Sequence, residues 1–541
     1  MQRYSPLHGV YNGKCMKTLR LFLLMILAVS PAAILSAQDS IQFHDRSLRL
    51  PDPKPGELKF IGYWFTRATA SNISPTNELL QGQIIGRLFG PNTTNVGKTA
   101  SYVEQRFVPM FIYSPQILDG VATFRSLFKI DMTWGDAAYG VGGNKGGGLN
   151  AGQVNLQTLL ANVDIHPTDA TWNLVIGLQR VFDNVRDPNV TAISTTQTSG
   201  YKLSYFGTQG VGVSLYKYLN QETQFRAGYF QLYENNISDN DDVALWMVDA
   251  ESRLTPRVEA GLDAWFLWDR GKNNGGISVL GQGLNSSLAE YNGATGKNRM
   301  SIPTSKYEAN ITWLGGHISY NRDFATGRWW EDVFVMSNIG TIDTVGISAT
   351  NYYADILGVA VNGSINYKYG QTVNDRISFE GLYTTGDNNG AADKQVSSVI
   401  TGNVYGSPTA IYGNHKALLL FPDPKVVNRY YSAVQDISNM GYGVTGLFLN
   451  ASHDIIPNKM MVKLGGAAAL SNYAPQGGGN LVGSEINFEA QYTYKVFLTF
   501  GFSAGYMMMG DFYDSPLVTY NGVRPSQDPW VAFLNMSWLM F

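Results

Sequence analysis

Alternation with a period of two is the feature of this sequence that most limits its fold. In "VATFRSLFKIDMTWGD", residues 121–136, Phe124, Phe128, Ile130, Met132 and Trp134 share one parity, while Thr123, Arg125, Lys129, Asp131 and Thr133 share the other. Only an extended strand, whose successive side chains point to opposite faces, sorts residues this way. The division recurs in "SEINFEAQYTYKV", where Glu485, Asn487, Glu489, Gln491 and Thr493 oppose Ile486, Phe488, Ala490, Tyr492 and Tyr494. It recurs again in "DRISFEGLYTT", with Arg376, Ser378, Glu380 and Thr384 against Ile377, Phe379 and Tyr383. One face is apolar and the other polar or ionic, as in a sheet with lipid or a core on one side and water on the other.

Composition points the same way. Charged residues make up 15% and aromatics 13%, and 58 glycines accompany 31 tyrosines, a mixture that favours pleated strands and tight turns over helices. The expected class is all-β. A net charge of -3 and the lack of a basic stripe give no reason to expect nucleic acid as a partner.

The segment "MKTLRLFLLMILAVSPAAILSAQDS" begins with Lys17 and Arg20, continues with an apolar run from Leu21 to Val29, and places Ser36 and Ala37 before Gln38. It reads as a secretory signal peptide over 1–37, with Met16 as an alternative start. The one cysteine, Cys15, precedes that run, so neither a disulfide framework nor a thiolate metal site is expected. After Ala37 no apolar run approaches the roughly 18 residues that a spanning helix needs. An exported chain of strands is then a soluble sandwich or a membrane barrel.

Loop lengths separate the two. Strands are expected to start near residues 57, 101, 121, 153, 171, 201, 223, 243, 257, 306, 332, 357, 375, 440, 459, 484, 497 and 529. Connections after even-numbered strands are short ("SPQILDG", "HPTDA", "YLNQE", "LTPR", "GQTVN", "IIPN"), whereas those after odd-numbered strands include long stretches near 70–100, 135–152, 183–200, 269–305 and 386–439. Short periplasmic turns and long external loops are the habit of outer-membrane barrels. The stretch "NRDFATGRWWED" breaks the rule, which leaves the count at 16–18. The expected organisation is a leader over 38–56 and a transmembrane antiparallel β-barrel over 57–541.

Candidate chemical motifs read as loops or strand ends. In "GVGGNKGGGLNAG", Lys145 is followed by Gly146 rather than by the Ser or Thr of a phosphate-binding loop. "ASHD" places Ser452 and His453 on opposite faces of a strand, so they cannot converge as nucleophile and base. The six histidines lack metal-site spacing, and the acidic run "SDNDD" reads as a solvated loop tip. No catalytic set, cofactor or metal is expected.

What remains is the ionic face. By parity it carries Glu104, Arg106, Arg125, Lys129, Asp131, Arg226, Asp249, Glu251, Arg253, Glu259, Asp263, Arg376, Glu380, Glu485 and Glu489. In a water-filled lumen such residues select solutes by charge and width; equally, they can pair to brace the wall. The longest loop, 386–439, carries Lys394, Lys416, Lys425 and Arg429 and is the expected constriction.

"YVEQRFVPMFIY", "FKIDMTWGD", "WNLVIGLQR", "YTTGDNNGAADK" and "GSEINFEAQYTYKVFLTFGFSAGYMMMGDFYD" together resemble the alginate-export-like outer-membrane porins. The resemblance implies an 18-stranded monomeric barrel, whose best-studied members export an anionic polysaccharide through an arginine-rich lumen, with Arg106 and Arg180 at matching positions. Here acidic residues outnumber basic ones on the inner face, so the resemblance speaks for architecture more than for substrate. The expected function is a porin passing small hydrophilic solutes, saccharides or organic acids. A polysaccharide export conduit and a non-conducting surface or adhesive barrel are the alternatives. Outer-membrane lipid is the expected surrounding.

The final strand "WVAFLNMSWLMF" ends on a phenylalanine, which resembles the signal by which the barrel-assembly machinery recognises such chains and is expected to engage it. Trp530, Ala532, Leu534, Met536, Trp538 and Met540 form its cleaner lipid face, which puts Phe541 with Asn535 and Ser537 on the other side, whereas the usual signal would put Phe541 and Leu539 outward. The first register is expected for the strand's upper part, and the order near Phe541 stays open.

Overall fold

Eighteen antiparallel strands close into a barrel in the computed structural model of the chain. The structure describes residues 54–73, 84–90, 96–134, 155–167, 171–182, 206–220, 222–234, 237, 239–272, 306–346, 350–400, 402–403, 417–421, 429–434, 437–495, 497–519 and 522–540. All belong to the compact unit 45–541. The signal-peptide reading and most of the leader lie outside the described residues.

The wall strands are β1 (Leu58–Ser71), β2 (Ala100–Tyr113), β3 (Ala122–Thr133), β4 (Asn155–Ile165), β5 (Trp172–Phe182) and β6 (Phe206–Tyr218). There follow β7 (Thr223–Tyr233), β8 (Val243–Thr255), β9 (Val258–Asp269), β10 (Tyr307–Tyr320), β11 (Trp329–Val345) and β12 (Thr350–Lys368). The set ends with β13 (Arg376–Thr384), β14 (Val444–Ile456), β15 (Met460–Ser471), β16 (Leu481–Tyr494), β17 (Leu498–Met509) and β18 (Trp530–Met540). Each pairs with its neighbours in sequence, and β1 closes the sheet by pairing with both β2 and β18. Side chains fasten that seam: Ser71 Oγ donates to Trp530 O at 2.7 Å, Asn72 Nδ2 to Asp528 O at 2.8 Å, and Trp530 N to Asn72 Oδ1 at 2.8 Å.

"NRDFATGRWWED" proves to be a turn after all. Asn321 adopts φ 50°, a left-handed conformation that Asn tolerates, and its amide donates to Trp329 O at 2.6 Å while its Oδ1 accepts from Thr326 N at 2.7 Å. The chain therefore reverses by residue 329 and the count stays at eighteen. All connections at this end of the barrel are short. At the other end most are long, although 234–242, 346–349 and 472–480 are short as well.

Outward parity is apolar along the strands: Leu262 is 69% exposed and Leu534 63%, with Leu449, Leu464 and Ile486 similarly open. Exposed aromatics gather in two belts. Tyr113, Phe124, Trp329, Tyr492, Tyr494 and Trp538 mark the turn end, and Tyr229, Trp246, Phe266 and Tyr506 the loop end. Tyr229, Trp246 and Phe266 are cross-strand neighbours with centroids 5.5 and 5.7 Å apart. An apolar band flanked by aromatic girdles is the lipid-facing surface of a transmembrane barrel, and it is far larger than a soluble protein leaves in water. In β18 the exposed residues are Leu534 and Trp538, while Val531 and Leu539 are buried inside, so the even positions face lipid along the whole described strand.

Candidate functional site

The inward face has three levels. Toward the turn end, Ile61, Tyr63, Phe65, Val108, Met110, Ile112, Leu127 and Leu539 pack into one apolar cluster. Toward the loop end a larger cluster joins wall residues such as Met247, Trp265, Trp313 and Met336 to residues of three loops. Ionisable side chains lie between and below these layers.

Most of those side chains pair across adjacent strands, because residues opposite one another in an antiparallel ladder share a face. Arg67 Nη2 lies 2.9 Å from Glu104 Oε2, Arg125 pairs with Asp164, and Lys463 pairs with Glu489. Arg226 Nε meets Asp249 Oδ2 at 2.5 Å, and Trp265 Nε1 donates to the other oxygen at 2.6 Å. Near the turn end, Arg253 and Arg322 share Glu259 at 3.8 and 3.7 Å. His317 Nε2 reaches Glu251 Oε1 at 3.0 Å across an intervening strand, which works because Gly261 stands between them. A Cβ there would lie 2.2 Å from His317 Cε1 and 2.7 Å from Glu251 Oε1.

Of the residues expected on the inner face, those described have inward parity, and many of them pair within the wall. Arg106, Lys129 and Asp263 are inward and buried. Asp131 is the register partner of Arg106, and only its backbone is described. Glu380 accepts from Asn362 Nδ2 at 3.0 Å. Arg376 is partly exposed near the turn end, 5.8 Å from the Trp330 ring. Of Arg180, expected from the resemblance to face inward, only the backbone is described, between the buried Gln179 and Val181. Arg67, Asp164, His317 and Lys463 complete the network without having been nominated.

Glu485 departs most from expectation. Its side chain points inward but does not line open space: Oε1 accepts from Leu418 N at 2.6 Å, and Oε2 from Leu419 N at 2.8 Å and Leu420 N at 2.7 Å. Asn487 Nδ2 adds a fourth donor at 2.9 Å. The expected constriction loop does enter the barrel, since Val396, Val399, Ile400, Ala417–Phe421, Val434 and Ile437 are buried in the loop-end cluster. Among the described residues of the loop, leucines and other apolar side chains make that entry. Lys394 is exposed, 5.9 Å from the Tyr352 ring. Lys416 and Lys425 lie outside the described residues. Of Arg429 only the backbone is described, in a short strand (Arg429–Ser432) running parallel to Ile84–Arg87 of the first long loop. Leu88 and Phe89 of that loop, and Tyr513 of the last one, join the same cluster, with Phe89 and Tyr513 edge to face at 5.1 Å.

The other motifs stay apart from this interior. "ASHD" closes β14 against the 369–375 turn: Ser452 Oγ donates to Asn374 O at 2.5 Å, and His453 Nδ1 contacts Asp375 Oδ1 at 2.9 Å. Asp375 also accepts the amides of Asp454, Thr372 and Gln371. These N–H groups, helped by His453, hold its carboxyl down at about 2. "GVGGNKGGGLNAG" lies outside the described residues. Among the described residues no group of three potential ligands, including those of "SDNDD", converges as for a metal.

No family model and no curated protein matches the chain. Solved structures resemble it in fold. OccK5 (OpdH) of Pseudomonas aeruginosa shows 11% identity and a TM-score of 0.44, covering 89% of this chain and 98% of its own. OccAB4 of Acinetobacter baumannii shows 9% and 0.46, covering 91% and 99%. OccK2 (OpdF) of P. aeruginosa in complex with glucuronate shows 12% and 0.44, covering 90% and 96%. With its closed eighteen-stranded sheet, apolar outer band, aromatic girdles, and turns and loops sorted to opposite ends, the chain is a β-barrel of the outer-membrane type.

Proposed function

We propose that this barrel is a porin, a channel in the outer membrane through which small hydrophilic solutes, saccharides or organic acids, diffuse passively. The observation that carries the reading is the inversion of its two faces: apolar side chains meet lipid outside while ionisable ones occupy the wall inside. Eighteen strands enclose enough width for an aqueous path, and charges fixed along a path select solutes electrostatically. In this reading the buried pairs hold the wall's shape. The partly exposed Arg376, Arg125 and Glu489 are the groups that meet solute, and loop 386–439 sets the width.

The resemblance to alginate-export-like porins enters this proposal at the level of architecture. A polyanion conduit is disfavoured, because the buried inward arginines Arg67 and Arg226 are each spent on a carboxylate. The last strand, β18, is the proposed recognition element for the barrel-assembly machinery. A second reading, a non-conducting surface barrel, draws on the leucine-lined loop inside the barrel.

Planar-bilayer recording separates the two. Discrete conductance steps are expected, with a reversal potential under a salt gradient that reports the sign of the path and a conductance reduced by an added uronate such as glucuronate. A purified, folded barrel that never conducts, even with residues 386–439 deleted, would leave the surface-protein reading standing.

A further inference from the structure

We infer that Glu485 is the positioning residue of the constriction: its carboxylate clasps loop segment Ala417–Phe421 against the inner wall of the barrel, and opening of the pathway proceeds by release of that clasp. The inference rests on the channel reading above.

The segment "ALLLF" is built for burial but not for self-sufficiency. Its five side chains are at most 8% exposed within the loop-end cluster. Three consecutive backbone N–H groups, those of Leu418, Leu419 and Leu420, have no ladder partner among the described residues and would each carry a desolvation penalty if left unsatisfied there. An ionised carboxylate is the side chain suited to them, since its two oxygens accept about four hydrogen bonds and donate none. Glu485, 1% exposed, receives those three and the one from Asn487.

The carbonyls of the same residues face the opposite way. Leu419 O and Leu420 O accept from Ala433 N at 2.8 Å and Val434 N at 3.0 Å, both on the returning limb of the same loop. The segment and its return limb thus form one body, and the Glu485 bonds lie on the boundary between that body and the wall. A separate limb is pinned elsewhere: Trp313 Nε1 donates to Ile400 O at 2.8 Å, and Ile400 N donates to Asn338 Oδ1 at 2.9 Å. The wall is relieved of side chains where the body docks. A Cβ on Gly505 would lie 3.2 Å from Leu418 Cβ, and one on Gly446 would lie 3.1 Å from Phe421 Cζ. Leucine contacts are non-directional, so among the bonds described for the segment itself those to the carboxylate set where along the wall it sits, while its return limb has its own bonds through Ser432 to Leu88 and through Ile437 to Thr384.

The full-length protein, purified in detergent and inserted in planar bilayers, tests this. In Glu485→Gln one acceptor oxygen is replaced by a donor facing the leucine amides. Loss of even one charge-assisted bond shifts the open-to-closed ratio by about tenfold or more, read as raised open probability or conductance. A second variant leaves Glu485 intact. Leu418→Cys with Gly505→Cys brings two thiols within disulfide reach after a shift of a few tenths of an ångström, so the oxidised pair holds the segment shut and dithiothreitol restores wild-type currents. Both results are expected. Folded Glu485→Gln barrels with wild-type currents, or a formed cross-link that leaves currents unchanged, would overturn the clasp. If the deletion of 386–439 conducts while these variants change nothing, the channel reading survives and only the clasp fails. If nothing conducts, both fall.

Discussion

Arg226 and Asp249 face each other across β7 and β8 with Nε and Oδ2 2.5 Å apart and side chains 3% and 1% exposed. Trp265 Nε1 donates to the second carboxylate oxygen, so the pair is satisfied by a neighbouring strand as well. Breaking such a buried pair leaves an uncompensated charge, at about 3–5 kcal/mol. Arg226→Ala and Asp249→Ala are each expected to destabilise the barrel by that order in urea unfolding from lipid vesicles. The double variant should cost clearly less than the sum, and strict additivity would show that the two charges act independently.

Gly261 is the gap through which His317 reaches Glu251. Alanine there forces its Cβ into both side chains, an overpacking that costs about 1–3 kcal/mol. Gly261→Ala should lower the temperature at which the folded band disappears on unboiled gels, and adding Glu251→Ala should recover part of the loss. No recovery would mean that the strain lies in the backbone.

The final strand offers a test of facing. Met536 has lipid-facing parity and Asn535 faces inward, where a Cβ on Gly501 would meet its side-chain oxygen at 2.5 Å. A charge on the lipid face near mid-membrane costs up to about 2–4 kcal/mol for a basic residue and less for an acidic one. Met536→Asp is expected to reduce the amount of barrel assembled in membranes, while Asn535→Asp assembles near wild-type levels. The reverse order would flip the strand.

At the turn end the carboxyl of Asp375 is held near 2 by the Asp454, Thr372 and Gln371 amides and by His453, against about 3.9 in an unfolded chain. The sign follows from linkage. A depressed carboxyl stabilises the fold above the unfolded value, and that contribution is lost as pH falls from about 4 toward 2. Wild-type barrels should therefore lose stability across that window faster than Asp375→Asn, as read by unfolding midpoints at stepped pH. Parallel pH curves would assign the acid limb to other groups.

Much of the wall was legible because lipid enforces alternation: the apolar parity of β3, β13 and β16 declares which side faces out. The strand starts read from that pattern and from turn chemistry fall close to the observed ones, Leu58 near 57, Ala122 near 121 and Leu498 near 497. The largest miss, β12, already under way at Thr350 against an expected start near 357, follows a connection whose length the pattern does not report. Arg67 was missed because the inward parity of β1 also carries Ile61, Tyr63 and Phe65, which blurs the contrast on which the reading depends. Glu485 lies on the inner face, but its carboxylate is taken up by the backbone of a loop. Parity tells where a side chain points, whereas its partners, three backbone amides more than sixty residues earlier in the chain, leave no trace in local pattern.

The seam between β1 and β18 carries a consequence for how the molecule comes into being. Every other wall pairing joins strands adjacent in sequence and can form as soon as both exist, but Gly62 meets Met540 only when nearly the whole chain is present. Until then the two bordering strands expose unpaired backbone along their full length, the state most prone to joining the wrong neighbour. The Ser71, Asn72 and Trp530 fasteners belong to the last event of construction. A chain interrupted before residue 530 is not a smaller barrel but an open sheet with two adhesive borders.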